Sequence, residues 1–236
     1  MRGVGLVALS LLLAGCAHAT APVATGAGAP TPGPAKTATP TAGGPAHVEA
    51  SSYSPTVRPV TAGELRYSWR PGCPVAPSSL RALSVRYRTF SGGSAVGTLI
   101  VHRDAVAALS TAFAELYRRG FPIRRMTPID AYRGSDDAST AADNTSAFNC
   151  RAAVAAGPRS WSQHAYGRAV DVNPVENPYL DSGRIIPPAG RGYANRTARR
   201  PGMVEAAAVH VFAATGWRWG GRWSSPDFQH FSANGR

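Results

Sequence analysis

Between residues 81 and 101 the chain alternates. From Arg81 to Phe90, Leu83, Val85, Tyr87 and Thr89 interleave with Arg81, Arg86 and Arg88, and Ala95 to Val101 is a second short, β-branched run. Ser91-Gly92-Gly93-Ser94 lies between them, so a period of two broken by turn formers predicts a β-hairpin. The period then changes. His102 to Arg119 sets Val106, Leu109, Phe113 and Leu116 at helical spacing and closes on Gly120, which predicts a helix. Shorter runs at Ile123 to Ile129, Ser146 to Arg151 and Ala169 to Val172 predict further strands, and Met203 to Thr215 predicts a second helix closed by Gly216. Strands and helices are interspersed without regular alternation, the pattern of an α+β fold: an antiparallel sheet with flanking helices.

The longest apolar run, Val4 to Leu13, has no such periodicity. Arg2 precedes it and Ala14, Gly15 and Cys16 follow, the charged, apolar and small-residue order of an export signal, and the run is too short to span a bilayer. The ending Leu13-Ala14-Gly15-Cys16 resembles the lipobox of bacterial lipoproteins. Residues 1–15 are therefore expected to be a lipoprotein signal peptide and Cys16 the lipidated residue, on the outer face of the cytoplasmic membrane; the alternative is an ordinary signal peptide cut a few residues later. Diacylglycerol supplies the two chains that stable anchoring needs. In residues 17–57, Ala, Thr, Pro, Gly and Ser fill 33 of 41 positions. Such a stretch buries too little apolar surface to offset its chain entropy, so residues 16–57 are expected to form the lipidated Cys and a tether, and residues 58–236 one folded domain.

Composition narrows the partner. The chain carries 25 basic and 13 acidic residues, a net charge of +12, and only Lys36 among the basic residues is not Arg. The positive excess lies beyond the tether, whose only charges are Lys36 and Glu49. An exported, anchored domain of this charge points to anionic wall polymers or phospholipid head groups, and not to nucleic acid. The bland alternative is an Arg-rich coding bias. Cys73 and Cys150 are an even pair in an oxidising compartment, and a disulfide is expected. In the loop-entropy model its contribution would be about 4 to 5 kcal/mol. No CxxC or CxH neighbour accompanies either Cys, so metal ligation by the pair is not indicated.

Histidine placement supplies candidate chemistry. His18 and His47 lie in the tether, and His102 and His210 lie in helical patterns without an acidic or histidine partner at ligand spacing, which reads as structural. His164 opens the stretch His164-Ala165-Tyr166-Gly167-Arg168-Ala169-Val170-Asp171, where a turn on Gly167 can fold Asp171 on a strand back towards His164. His230 closes Asp227-Phe228-Gln229-His230, whose spacing brings a carboxylate and an imidazole near one pocket. Two neutral imidazoles and one carboxylate, with a fourth position open, is the ligand set of a catalytic zinc site.

The same residues carry a resemblance. Ser162-Gln163-His164-Ala165-Tyr166-Gly167-Arg168-Ala169-Val170-Asp171 resembles the SxHxxGxAxD signature of the M15 zinc peptidases, the peptidoglycan D-alanyl-D-alanine carboxypeptidases and their L-alanyl-D-glutamate endopeptidase relatives. Gly216-Trp217-Arg218-Trp219-Gly220-Gly221-Arg222-Trp223, followed by Asp227-Phe228-Gln229-His230-Phe231, resembles the Trp-Gly-Gly and acid-x-x-His ending of that family. Asn173 to Pro178 and Pro201-Gly202-Met203 look like its connecting segments, so the similarity spans roughly residues 80 to 232.

The resemblance implies the zinc peptidase fold shared with the hedgehog signalling proteins. It implies Zn2+ held by His164, Asp171 and His230, with Asp227 as the catalytic carboxylate; many members have Glu there. It also implies peptidoglycan stem peptides as substrate. Arg151, at the end of Asn144 to Arg151, is the candidate for gripping a carboxylate or an oxyanion, because a guanidinium does so in two-pronged fashion. Ser162 and Tyr166 are expected to line the cleft. Trp217, Trp219 and Trp223 pack near the zinc loop or stack on sugar, with packing the simpler reading, and Asp136, Asp137 and Asp143 read as a solvated turn. Two rival classes remain: a zinc-bearing domain without activity, and a basic wall-binding lipoprotein without chemistry.

Overall fold

The structure is a computed structural model that describes residues 53–154 and 160–236. The expected signal peptide, the lipidated Cys16 and nearly all of the tether lie outside the described residues. Among the described residues no helix is long and apolar enough to cross a membrane. In chain order the strands and helices are β1 (Thr56–Pro59), β2 (Leu80–Arg88), β3 (Ser94–His102), α1 (Val106–Arg118), β4 (Arg125–Met126), α2 (Asp136–Ala141), β5 (Asn144–Thr145), β6 (Ala169–Asp171), β7 (Tyr179–Asp181), β8 (Arg184–Ile186), α3 (Ala206–Ala214), β9 (Arg218–Trp219) and β10 (His230–Ser232). Short 3-10 turns connect several of them.

The expected hairpin is β2–β3, antiparallel from Leu80 opposite His102 to Arg88 opposite Ser94. Gly92 takes the turn with φ +83°. β1 adds on the other edge of β2, with Thr56 opposite Ser84. This moves the start of the fold. The folded part includes residues on the tether side of the 57/58 boundary, and the Tyr53 ring packs 5.7 Å from that of Tyr117 on α1. Proline content misplaced the boundary, because β1 is an exposed edge strand that follows Pro55 and ends on Pro59.

The hairpin has a core on each face. Leu83, Val85, Leu99 and Val101 pack with Leu109, Phe113 and Leu116 of α1, Val211 and Phe212 of α3, and Val170 and Phe231 of β6 and β10. The Phe212 and Phe231 rings stack at 3.9 Å, and Phe113 meets Phe212 edge-on at 6.1 Å. On the other face Leu80, Ala82 and Ile100 pack with Leu65, Phe148 and Cys150. There Cys73 and Cys150 form the expected disulfide. Unreduced protein will therefore weigh two hydrogens less than its reduced form in intact-mass analysis. Cys150→Ser will lower stability by about 2 to 5 kcal/mol in denaturant titration. Two freely alkylatable thiols in protein made under oxidising conditions would overturn the pairing.

The α+β class holds, with two differences from the expected single antiparallel sheet. The strands form separate small sheets among the described residues, ordered β1–β2–β3, β6–β10–β9, β4–β5 and β7–β8, and β4–β5 is parallel. Ser146 to Arg151 is not a strand. Its successive amides donate to different segments, Ser146 to Asp171 O, Phe148 to Ile100 O, Asn149 to His164 O and Cys150 to Ser68 O, so no ladder repeats. Pro122 and Pro128 leave only Arg125 and Met126 of the Ile123 to Ile129 run to pair as a strand. The second helix begins at Ala206, three residues later than its pattern suggests. Val204 is drawn off by a hydrogen bond from its amide to Asn177 Oδ1 at 2.6 Å, and Glu205 stays extended.

Candidate metal and catalytic site

β6 and β10 create the site by register. Asp171 and His230 are directly opposed in the antiparallel pair, and directly opposed side chains project from the same face. Their neighbours Val170 and Phe231 point the other way, into the core, so hydrophobic burial of alternate residues fixes which face the polar pair occupies. His164 arrives from the 3-10 turn Gln163–Tyr166, which ends on Gly167 at φ +65°. A Cβ on Gly167 would lie 2.6 Å from the His102 amide, which itself donates to Gly167 O. Only glycine fits between the hairpin and this turn. The expected fold-back of Asp171 towards His164 is what the backbone does.

The three side chains converge in a buried place, at 2%, 8% and 5% exposure for His164, Asp171 and His230. His164 Nε2 is 3.2 Å from His230 Nδ1 and 3.1 Å from Asp171 Oδ2, and His230 Nδ1 is 3.1 Å from Asp171 Oδ1. One ligand atom from each residue lies within 4.8 Å of the others, close enough to share one ion.

The opposite ring nitrogens decide what this cluster is for. His164 Nδ1 donates to Ala147 O at 2.6 Å, and His230 Nε2 donates to Arg236 O at 3.0 Å. A main-chain oxygen only accepts, so each outer nitrogen carries a hydrogen, and in the neutral form that a metal-bound imidazole takes, the inner nitrogen is then bare. In that form two nitrogen lone pairs and a carboxylate face one another, a set that a cation between them would hold together. The donor set therefore fits Zn2+, which takes imidazole nitrogen and carboxylate oxygen and whose histidine ligands ordinarily give their far N–H to a carbonyl or carboxylate. Without an ion, burial works to raise the Asp171 carboxyl, but the charge and hydrogen bonds of His164 and His230 in their protonated form more than offset it and hold it below the usual carboxylate range.

Asp227 stands beside this cluster. Its Oδ1 is enclosed and has no hydrogen-bond partner among the described residues. Burial first, and then the charge of Asp171, push its carboxyl up to about 7, against a partial pull from His230, Arg151 and Gln229. A carboxyl raised to that point both accepts and gives up a proton near neutrality, the property a general base that later acts as an acid requires.

Arg151 lies at the rim. The Ser162 amide donates to its carbonyl at 3.1 Å, and its Nε is 3.0 Å from Asp136 Oδ1, an ion pair that lacks hydrogen-bond alignment. Its guanidinium is thus shared between Asp136 and the field at Asp227. Ser162 caps the turn that carries His164, its Oγ accepting from the His164 amide at 3.3 Å, which gives its hydroxyl a scaffold role. Tyr166 is half-buried on the same turn. Trp217 is core, Trp219 Nε1 donates to Phe228 O at 2.8 Å, and Trp223 Nε1 donates to Gly235 O at 3.2 Å, so the three indoles follow the packing reading. His102 caps the chain entering α1 through Nδ1, a structural role as expected.

The acidic turn divides. Asp136 and Asp137 open α2, but Asp143 is buried, accepting from Val175 N at 2.9 Å and lying 3.4 Å from Arg124 Nε. It is no solvated turn residue, because Arg124 also meets the buried Glu176 and the three form one charged cluster under the loop after β6. Sequence reasoning also missed the main-chain oxygens of Ala147 and Arg236, for which no side chain could give a signal. It missed Gln229 as well, which sits between Asp227 and His230 and is buried.

Residues 155–233 match a family model described as D-alanyl-D-alanine carboxypeptidase, of the M15 peptidases. No curated protein and no solved structure is matched. The match is shorter than the expected span from about residue 80, leaving Arg151 and the hairpin outside it, yet it contains His164, Asp171, Asp227 and His230. Over residues 155–233, the part that carries the site, the chain is thus similar to the M15 peptidases.

Proposed function

We propose that this chain is a zinc-dependent peptidase of peptidoglycan stem peptides, of the D-alanyl-D-alanine carboxypeptidase or L-alanyl-D-glutamate endopeptidase type. The observation that carries the reading is the convergence of His164, Asp171 and His230 on one buried point, each imidazole backed at its outer nitrogen by a main-chain oxygen. Bound there, zinc supplies a Lewis acid that polarises a peptide carbonyl and lowers the pKa of water to about 7. Asp227 takes the proton of the attacking water and returns it to the leaving amine. Arg151 grips a carboxylate or the developing oxyanion from the rim, released for this from Asp136. Tyr166 lines the cleft, and Ser162 holds the turn that presents His164.

On the sequence alone, the domain is read as held outside the cytoplasmic membrane by lipid on Cys16 and a tether, its basic surface facing anionic wall polymers. The test of function is mass analysis of purified muropeptides after incubation with the protein. Loss of one terminal D-alanine marks a carboxypeptidase, and cleavage after the first L-alanine marks an endopeptidase. Products formed equally with and without chelator, or no products from zinc-loaded protein, would overturn the proposal.

A further inference from the structure

The two imidazoles of the cluster are held from very different places. Behind His164 stands Ala147 O, in a buried segment stitched to the hairpin and β6. Behind His230 stands Arg236 O, in a short turn on the surface that doubles back after β10. That turn is built, not incidental. The Ala233 amide donates to Arg168 O at 3.0 Å, the Arg236 amide to Asn234 Oδ1 at 3.1 Å, and Trp223 Nε1 to Gly235 O at 3.2 Å. The Trp223 ring also lies 5.1 Å from the His230 ring, so one indole touches the ligand and pins the turn that orients it. Gly235 allows the reversal, at φ +78° and with a Cβ position 2.8 Å from Arg218 Cδ.

We infer that the main-chain oxygen of Arg236, pinned through Gly235 by Trp223, is a positioning group for His230. It fixes the ring in the Nε2–H tautomer and so directs the bare Nδ1 at His164 and Asp171. The turn lies beyond the residues that the family model matches, which end at 233. The inference rests on the zinc-site reading. Without that oxygen, His230 is free to place its hydrogen on Nδ1 and present no lone pair to the ion. Loss of such an outer partner typically weakens metal binding about 10- to 100-fold.

The experiment measures zinc affinity by chelator competition on the full chain and on a chain shortened by residues 234–236. Thermal unfolding of both is followed in excess chelator. The expected result is one zinc per full chain, affinity about 10- to 100-fold weaker in the shortened chain, and similar unfolding of the two metal-free forms. Arg236→Ala, which keeps the main-chain oxygen and removes the guanidinium, restores full-length affinity. Trp223→Phe, which keeps a ring beside His230 but drops the N–H to Gly235, gives a smaller loss and decides the matter if the shortened chain does not fold. Equal affinity in the full and shortened chains, or Arg236→Ala as weak as the shortened chain, overturns the inference and leaves the zinc site standing. Absence of zinc from the full chain overturns the site itself.

Discussion

Asp227→Asn will keep zinc near the content of the unaltered protein and lower turnover of stem peptides by about 10² to 10⁴, the range that general acid/base catalysis contributes. The amide has almost the shape of the carboxylate, so the backbone around it has no reason to move. The Asp227 amide donates to Gly220 O and its carbonyl accepts from the His230 amide, and neither bond involves the side chain. What changes is proton capacity. The enclosed Oδ1 now belongs to a group that cannot take a proton from water or hand one to a leaving amine. Zinc content by elemental analysis and turnover by product mass separate the outcomes. Zinc lost together with activity would make Asp227 a ligand, and zinc retained with full activity would remove it from the mechanism.

The parts of this molecule that were legible in the sequence are those in which side-chain pattern and backbone agree. β2 and β3 alternate because one strand face packs on α1, and α1 shows its stripe because Leu109, Phe113 and Leu116 are buried. His164, Gly167 and Asp171 announced a fold-back, since the turn demands a glycine where the hairpin passes. The pairing of Asp171 with His230 is different in kind. Nothing local says that β10 lies against β6, across 59 residues, and it was reached through resemblance and not through periodicity.

What stayed hidden was carried by main chain or by burial of polar groups. Ser146 to Arg151 has the residues of a strand, but each amide goes to a different neighbour. Asn173 and Asn177 look like loop residues, yet both are fully buried. The Asn173 side chain ties Arg124 N, Pro122 O and Gly202 O together, and that of Asn177 spans Val172 O to Val204 N. These amides replace a regular sheet as the scaffold just past Asp171. A composition-based reading assigns such residues to solvent, because it has no means of knowing that their partners are backbone amides and carbonyls elsewhere in the chain.

The second large effect is on the metal itself. His164→Ala, Asp171→Ala and His230→Ala will each reduce zinc binding by more than the about 10- to 100-fold that follows loss of an outer partner, because each removes a donor atom. Stability should report the same event. A ligand that binds only the folded chain stabilises it by about 2.7 kcal/mol when present at a hundred times its dissociation constant. Chelator should therefore lower the melting temperature of the unaltered protein clearly and that of each variant little. The metal-free proteins will not rank in the same way. In the unaltered chain, removing the ion leaves the Nε2 of His164 and the Nδ1 of His230 facing each other at 3.2 Å, with the Asp171 carboxylate beside both. Deleting one imidazole removes that contact and opens a cavity against Trp223 or Ala147, so the metal-free variants differ in stability through packing and not through zinc. Stoichiometric zinc in all three variants would show that the ion is held elsewhere, and a melting temperature indifferent to chelator in the unaltered protein would show that this cluster closes on itself without one.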